Sequence, residues 1–546
     1  MPPLIESQVH TSLRAYLRQQ GDYSWPHHLT MARLVARALR LGRSALMQTS
    51  TSPPVYALSY LTPALLWQGA VVLVIPTLWQ EPWGKKVIPQ LQVALGTNKE
   101  VLVSDRVPSE DFTGVLITSP QNWLSDRLNT ITNLAANPNA SLKANLGANP
   151  EAKFPPGIPT LIDGADDLEP WARECLTQTM PPEDWDQLMA HYPQQREIIR
   201  DVKIKLTKSF FDRPPNPYGC CLLDTSEQEV IHNLGSKLAD KFVDQPLDQP
   251  VDQPVDQLTN KPEFLASNLG QFSQQLAQAS AQILWAGVDR QQGYFTLHRT
   301  PAEVATSLSK VWQQQPVVFM GRAMDLAVEA TVYRQNVGLG GLTCLKFPPD
   351  PQTEMIQLYL PDRLPLPNTP QFQAALQQQV MDLLTISRSD TGCIVILVED
   401  SPLKQQTAAV MAGEFGSRVQ MEVITPNPAP ILVTGWQFWR EFHHQFPAPK
   451  LLIMATLPIP SLENPLVAGQ VAYYKQQRLD WFRLYLLPTA LRELQSAIAP
   501  ARRHQGVVAM LDSRVNHRSY GQQVLTALSP FAKINYLDPR LWELLS

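Results

Sequence analysis

Residues Ala70–Thr77 read AVVLVIPT, and this run decides the fold class. It is short, almost continuously apolar and rich in β-branched residues, with no clean polar–apolar alternation. A strand reads this way when both of its faces are buried. Nine similar runs occur: Val101–Ser104 (VLVS), Gly114–Ser119 (GVLITS), Thr160–Asp163 (TLID), Pro316–Met320 (PVVFM), Cys393–Val398 (CIVILV), Val419–Thr425 (VQMEVIT), Ile431–Thr434 (ILVT), Lys450–Leu457 (KLLIMATL) and Gly506–Asp512 (GVVAMLD). Between them, Thr30–Leu41 (TMARLVARALRL) and Gln371–Leu384 (QFQAALQQQVMDLL) carry apolar residues at helical spacing. The pattern predicts an α/β fold with parallel sheets, and it occurs twice along the chain.

The chain is long enough for about three domains, at 546 residues. Charged residues are only 17%, against a usual ~25%. Proline is abundant, with 49 residues, and glycine scarce, with 25. These values exclude a collagen-like repeat, a long coiled coil and a highly charged disordered tail. The net charge of −4 does not mark a general polyanion binder, although a local basic groove depends on distribution and not on the total. The five cysteines are scattered and form no C-x-x-C pair, so neither a disulfide framework nor a cysteine-rich metal site is expected. The opening MPPLIESQVH has no basic region followed by an apolar one, so no secretory leader is expected. No continuous apolar stretch reaches the ~18 residues of a membrane span. The expected location is the cytoplasm, and the expected state a monomer.

The two α/β halves are separated by a polar, Gln-rich stretch from Glu169 to about Gly293. Within it Val243–Leu258 reads VDQP LDQP VDQP VDQL. Proline closing successive four-residue units excludes both a helix and a central strand, so the repeat reads as an expanded surface linker. A helix is expected to resume over Glu263–Leu284, and Ala135–Pro159, rich in Asn, Gly and Pro, reads as a loop.

Several segments, in order, resemble the DinG/XPD-type DNA helicases of superfamily 2. Trp25–Met31 (WPHHLTM) is similar to the family's R-P-x-Q-L-x-M, with His28 at the position of the Gln that helps recognise adenine. In Met47–Trp67 (MQTSTSPPVYALSYLTPALLW), residues Leu58, Tyr60, Leu61, Pro63, Ala64 and Leu65 match the helix that follows the family's phosphate loop. Val71–Gln80 resembles the next strand and its DNA-facing loop, and Gly114–Leu128 the strand and helix before the acidic box. Thr160–Glu169 (TLIDGADDLE) resembles the acidic box D-E-A-H-x-L-E, and Val317–Met324 (VVFMGRAM) the S-A-T motif. Farther on, Leu432–His443 (LVTGWQFWREFH) is similar to a strand followed by F-W-E-G-x-D, and Ala455–Val467 to K-L-P-F-x-x-P-x-x-P-L. Leu486–Gln495 and Gly506–Gly521 resemble the stretch around the final arginine motif. The likeness spans about residues 20–530. It implies two tandem RecA-like domains: residues 1–345, with an insertion at about 170–300, and residues 346–546. In active relatives ATP lies between the lobes and single-stranded DNA across them.

Carried over residue by residue, the chemistry is missing. A phosphate loop needs glycines whose N–H groups wrap the phosphates, a Lys for the β/γ-phosphates and a hydroxyl for Mg²⁺. Here Val55, Tyr56 and Ala57 stand at G-K-[ST], preceded by Pro53 and Pro54, and no glycine occurs between Arg43 and Gln68. In the acidic box Asp163 remains, Gly164 replaces the Glu that polarises water, and Asp166 replaces the His. In the family's Q-G-x-G-R-x-x-R only Gln495 and Arg502 match, with Ala499 at the arginine-finger position. In F-W-E-G-x-D, Arg440 replaces Glu, Glu441 replaces Gly and His443 replaces Asp. No cysteine lies between Ala57 and Asp163, where relatives carry an iron–sulfur cluster, so that cluster is not expected.

The expectation is a helicase-like protein without ATPase activity, a nucleic-acid-binding or scaffold protein in DNA repair or replication. Its partners would be single-stranded DNA or repair and replication proteins, with no resident cofactor and no membrane. ATP and Mg²⁺ enter only under the alternative of a divergent active helicase; a third reading is a protein adaptor. Basic residues cluster at Arg196–Lys208 and, interleaved with aromatics, at Tyr474–Arg492. Lys475, Arg478, Trp481, Arg483 and Arg503 are the nucleic-acid-binding candidates, since aromatic side chains stack bases and cations pair phosphates. The pairs His27/His28 and His443/His444 lack further ligands at metal spacing, so no metal site is expected.

Overall fold

The computed structural model describes residues 4–20, 25–51, 53–109, 111–136, 153–239, 281–387, 392–424 and 430–534. The VDQP repeat lies outside these residues. Each of the ten apolar runs contains a strand. In chain order β1 (Ala45–Gln48), β2 (Val71–Val74), β3 (Val101–Val103), β4 (Val115–Thr118) and β5 (Thr160–Asp163) come first. They are followed by β6 (Gln178–Met180), β7 (Cys220–Leu222), β8 (Gln282–Asp289) and β9 (Tyr294–Pro301), then β10 (Val317–Gly321) and β11 (Thr343–Lys346). The last group is β12 (Ile356–Tyr359), β13 (Cys393–Leu397), β14 (Val419–Met421), β15 (Ile431–Thr434), β16 (Pro449–Met454), β17 (Val507–Met510) and β18 (Phe531–Ile534).

Two seven-stranded sheets result, ordered β11-β1-β10-β5-β2-β4-β3 and β14-β15-β13-β16-β17-β12-β18. Their strand pairs are parallel throughout. The second sheet shows why its runs are continuously apolar. Cys393, Val395 and Leu397 enter one buried cluster, while Ile394 and Ile396 enter the cluster on the opposite side. Successive side chains of a strand point to opposite faces, so a strand covered on both sides needs an apolar residue at every position.

The first sheet is covered on one face by α1 (Ile5–Gln20), α2 (His28–Leu41), α3 (Pro53–Tyr56) and α4 (Leu58–Leu66). Val9, Leu13, Met31, Val35, Tyr60, Leu61 and Ala64 join Val71, Leu73, Val115 and Ile117 in one core. Each such fully buried aliphatic side chain contributes roughly 1.5–3 kcal/mol relative to exposure. The carboxyl ends of β1, β5 and β10, which are neighbours, converge where open parallel sheets hold their ligands.

The chain forms two compact units. The larger comprises Met1–Glu169, Ser307–Ile459 and Phe482–Ser546, and includes both parallel sheets. The smaller comprises Pro170–Thr306 and Pro460–Trp481. It is built on the antiparallel sheet β6-β9-β8-β7. Trp185, Phe210, Leu234, Leu284, Ala286, Phe295 and Leu297 form its core. Ile283, adjacent to Leu284 and therefore on the opposite face, packs against Gly469 of helix Pro465–Gln476. A Cβ at Gly469 would lie 2.9 Å from Ile283 Cγ2, so this helix approaches the sheet only because the residue is glycine.

One expectation is corrected. The helix placed over Glu263–Leu284 does not reach its carboxyl end, because Gln282–Leu284 begin β8. Residues 263–280 lie outside the described residues. The run ILWAGV is rich in β-branched and aromatic residues, and full antiparallel pairing of β8 with β9 outweighs its helical periodicity.

Candidate functional site

At the end of β1 the chain has no glycine loop. Gln48, buried, donates from Nε2 to the Ala327 carbonyl (2.8 Å) and accepts at Oε1 from the Asp325 N–H (2.9 Å). Ser50 takes up the left-handed turn (φ 55°) without being glycine. The short helices α3 and α4 that follow place Tyr56 and Tyr60 one turn apart on the same side.

Both phenols point at the carboxyl end of β5. The Tyr56 hydroxyl donates to Asp163 Oδ1, and the Tyr60 hydroxyl donates to Oδ2 at 2.9 Å. The Gly164 N–H adds a third donor to Oδ1 at 2.8 Å. Asp163, Tyr56 and Tyr60 are all fully buried, each 0% exposed. Burial pushes the Asp163 carboxyl up from 3.8 to about 6, a rise that the hydrogen bonds from Tyr56, Tyr60 and Gly164 oppose. Burial first, and then the Asp163 charge, raise both phenols well above their ordinary value. Val55 is half-buried against the core, Ala57 is buried at the start of α4, and Pro54 is exposed.

His28, which the resemblance aligns with an adenine-recognising Gln, is enclosed as well. His28 is buried, its Nδ1 lying 3.0 Å from Ser59 Oγ and its ring edge-on to Trp25 at 5.2 Å. Trp25, itself buried, also meets Tyr56 (6.2 Å) and Phe347 (5.6 Å). The residues present do not fit a magnesium-bound nucleotide. Both carboxylate oxygens of Asp163 already accept donors, Tyr56 places an aromatic ring where the resemblance puts the lysine, and no glycine stands between Arg43 and Gln68 to form a phosphate loop.

The rest of the acidic box is held by backbone and arginine contacts. Asp166 Oδ1 accepts the Arg322 N–H (3.1 Å), and the Asp166 carbonyl accepts Arg492 Nη1 (2.9 Å). The Tyr333 hydroxyl donates to the Ala165 carbonyl at 2.6 Å. Gly321 permits this approach: a Cβ there would lie 2.4 Å from Asp166 Oδ1 and 3.0 Å from the Asp166 nitrogen. Burial, and then the neighbouring Asp166, push the Asp167 carboxyl up, while Arg440 and Arg492 oppose the rise.

Arg502 is buried and faces backbone carbonyls. It donates to Leu528 (2.6 Å), Ser529 (2.8 Å), Pro530 (3.1 Å) and Glu354 (3.2 Å). Gln495 is half-buried on helix Leu487–Arg502, and Ala499 is buried within it. Arg440 pairs with Glu493 at 2.7 Å.

The five nucleic-acid candidates are divided between the two units. Lys475 Nζ sits 5.4 Å from the Trp481 ring centroid, and with Arg478 these residues belong to the smaller unit. Arg483 and Arg503 belong to the larger unit. All four cations are exposed. Sequence reasoning missed Tyr60 as a second donor to Asp163, and also Arg322, Arg492 and Tyr333. The spacing of Tyr56 and Tyr60, four residues apart, was the available signal for the first.

Residues 442–531 match the helicase C-terminal domain family. Among solved structures, Xpd4 of S. tokodaii superposes with a TM-score of 0.55 at 12% identity, covering 93% of this chain and 100% of the other. An apo XPD superposes at 0.56 with 12% identity, covering 92% and 100%. A further XPD helicase gives 0.55 at 10% identity, covering 93% and 99%. The fold is that of the XPD helicases. It consists of two parallel RecA-like sheets in tandem, and the sequence resemblance had implied the same architecture. No curated protein matches the chain by sequence. Among the described residues no helix is long and apolar enough to cross a membrane.

Proposed function

We propose that this chain is a helicase-like protein of the DinG/XPD type that no longer cycles ATP and serves as a nucleic-acid-binding or scaffold protein in DNA repair or replication. The observation that carries the reading is the Tyr56–Asp163–Tyr60 cluster. In a working site the acidic-box Asp holds Mg²⁺ through water, and the phosphate-loop Lys faces the γ-phosphate. Here two phenols and a backbone N–H satisfy that carboxylate in a dry core. Opening it to metal and nucleotide would strip hydrogen bonds to a charged group, each worth about 1.5–3 kcal/mol.

Nucleic acid is the favoured partner because exposed Lys475 stands over the half-buried Trp481 ring, and Arg478, also exposed, lies between them in the chain. A cation next to an aromatic face suits a single strand, pairing phosphate and stacking base. The experiment is titration of the purified protein with labelled ATP and Mg²⁺, with and without single-stranded DNA, beside Asp163→Ala. The expected result is no saturation up to millimolar nucleotide, with DNA bound in its absence. Micromolar ATP binding that Asp163→Ala weakens would restore the active-helicase reading. Absence of DNA binding as well would leave the adaptor reading.

A further inference from the structure

The smaller unit holds a cavity of its own. Helix Arg196–Asp212 is followed by an exposed loop, residues 214–219, that leads into β7. Arg213 leaves the helix in an extended conformation (φ −70°, ψ 145°), as is usual before proline, and Pro214 and Pro215 stiffen the backbone that follows. Two side chains tie this loop to the sheet. Asn216 Nδ2 donates to the Cys220 carbonyl at 2.8 Å, and Arg213 Nη1 donates to the Leu222 carbonyl at 2.7 Å. Both carbonyls lie on the outer edge of β7, the last strand of its sheet, so the same bonds close that edge to a further strand. The space left between loop and sheet measures about 130 Å³.

Its lining is largely apolar. Phe210, Pro214, Pro215 and Val288 form the wall. Cys220 and Cys221 line it too, and burial pushes both thiols up, so they stay protonated and neutral at pH 7. Charge enters through two arginines. Arg213 is compensated, pairing with Glu227 at 2.7 Å and Asp224 at 3.2 Å. Arg290, which is exposed, is not. Its Nη1 donates to the Phe211 carbonyl at 3.0 Å, and its Nη2 to the carbonyls of Arg213 and, at 3.5 Å, Phe210, so it caps the end of the helix. Among the described residues it makes no ion pair. A helix C-terminus offers only about half a negative charge, so part of the guanidinium charge stands unbalanced beside an apolar cavity. The three carbonyls also leave some of its five N–H donors unused.

We propose that this cavity binds a small apolar carboxylic acid, its hydrocarbon part against Phe210, Val288 and the two prolines and its carboxylate on Arg290. A cavity of roughly 150 Å³ takes a benzene ring, so this one suits a ring or branched chain of about that size. Guanidinium and carboxylate are planar partners that share parallel hydrogen bonds. An inorganic anion would leave the apolar wall wet, and a neutral hydrocarbon would leave the charge of Arg290 unbalanced. The loop is tied down before any ligand arrives, which lowers the ordering cost of binding. The cavity lies wholly within the smaller unit and uses neither Asp163 nor the Lys475–Trp481 pair, so it holds or fails independently of the function proposed above.

Calorimetric titration of the full-length protein with sodium benzoate and sodium 4-methylpentanoate, in chloride buffer at constant ionic strength, tests the site. Benzyl alcohol, which lacks the charge, and acetate, which lacks the apolar part, are titrated beside them. The expected result is saturable binding of at least one of the two acids, with benzyl alcohol and acetate weaker by ~10-fold or more, equivalent to about 1.4 kcal/mol. Arg290→Gln should weaken that acid by a similar factor and leave benzyl alcohol unchanged. Arg290→Lys, which keeps the charge, should retain most of the binding, and the exposed control Arg196→Gln all of it. Val288→Phe fills the cavity and should abolish binding of acid and alcohol alike; should it fail to fold, the Arg290 pair decides. Lack of saturation by either acid below ~10 mM overturns the proposal. Benzyl alcohol bound as tightly as benzoate overturns it too, as does acid binding indifferent to Arg290→Gln.

Discussion

Asp163→Asn tests the closed site most directly, because its effect must depend on pH in a fixed direction. The folded carboxyl titrates at about 6, above its ordinary 3.8, chiefly through burial. A group raised on folding contributes stability that is fully present below its unfolded value and is lost as pH rises through its folded value. Moving a carboxyl this far corresponds to about 3 kcal/mol, at ~1.4 kcal/mol per factor of ten in the ionisation constant. Wild type is therefore expected to lose about 3 kcal/mol relative to Asp163→Asn between roughly pH 4 and pH 7. The Asn side chain is nearly isosteric and cannot ionise, so the difference between the two proteins isolates the Asp163 term. The assay is denaturant unfolding of both proteins at a series of pH values, with the protonated-carboxyl infrared band as a direct readout of the midpoint. Tyr60→Phe adds a sign test. It removes a donor that favours the charged form, so the Asp163 midpoint must move higher still. A wild-type stability that stays level or rises with pH relative to Asp163→Asn, or a midpoint in the ordinary carboxylate range, would refute the dry, phenol-capped site.

Arg502→Leu is expected to destabilise the larger unit by about 3 kcal/mol or more, since four carbonyls around residues 354 and 528–530 lose their donor; thermal unfolding measures this, and DNA binding should persist in the folded fraction. Gly321→Ala should cost about 1–3 kcal/mol, because the new Cβ would meet Asp166 Oδ1 at 2.4 Å; wild-type stability would show that the approach of Asp166 to β10 is wrong. Gly469→Ala should likewise lower the stability of the smaller unit, with the Cβ pressed to 2.9 Å from Ile283, and limited proteolysis of that unit reads the effect.

The fold was legible where burial leaves no polar position in a strand. β2, β4, β5, β13 and β15 are buried along their whole length and read as apolar runs. β11 (TCLK) and β18 (FAKI) are edge strands with partly exposed, mixed side chains, and they gave no such run. β1 was hidden because its last residue is Gln48, whose polar groups are satisfied 279 residues away at Ala327. At the site, a missing residue type was readable directly: an absent glycine or lysine is seen in the sequence itself. What took its place was not. Tyr60 reads as one more match to the helix after the phosphate loop, and only the folded chain brings it to Asp163, 103 residues away. Arg502 aligns with an arginine of the final motif, yet a side chain's direction is set by the packing around it, which here turns it to carbonyls.

The three closures explain why the loss of nucleotide chemistry, on the reading proposed here, is not a single defect awaiting one reversal. Tyr56→Lys would restore a cation, but in a fully buried position beside Asp163 and beneath Trp25. The Tyr60 hydroxyl would still occupy Oδ2, and His28 would still be buried against Ser59. Arg502 would still be held by its four carbonyls. Each closure satisfies polar groups that an open nucleotide site would leave to water or ligand. Such contacts, made once, resist reopening, because removing one partner leaves a buried group unsatisfied while the others stay in place. On the function proposed above, the helicase-like architecture would serve as a scaffold, with Lys475, Arg478 and Trp481 as its candidate contact residues.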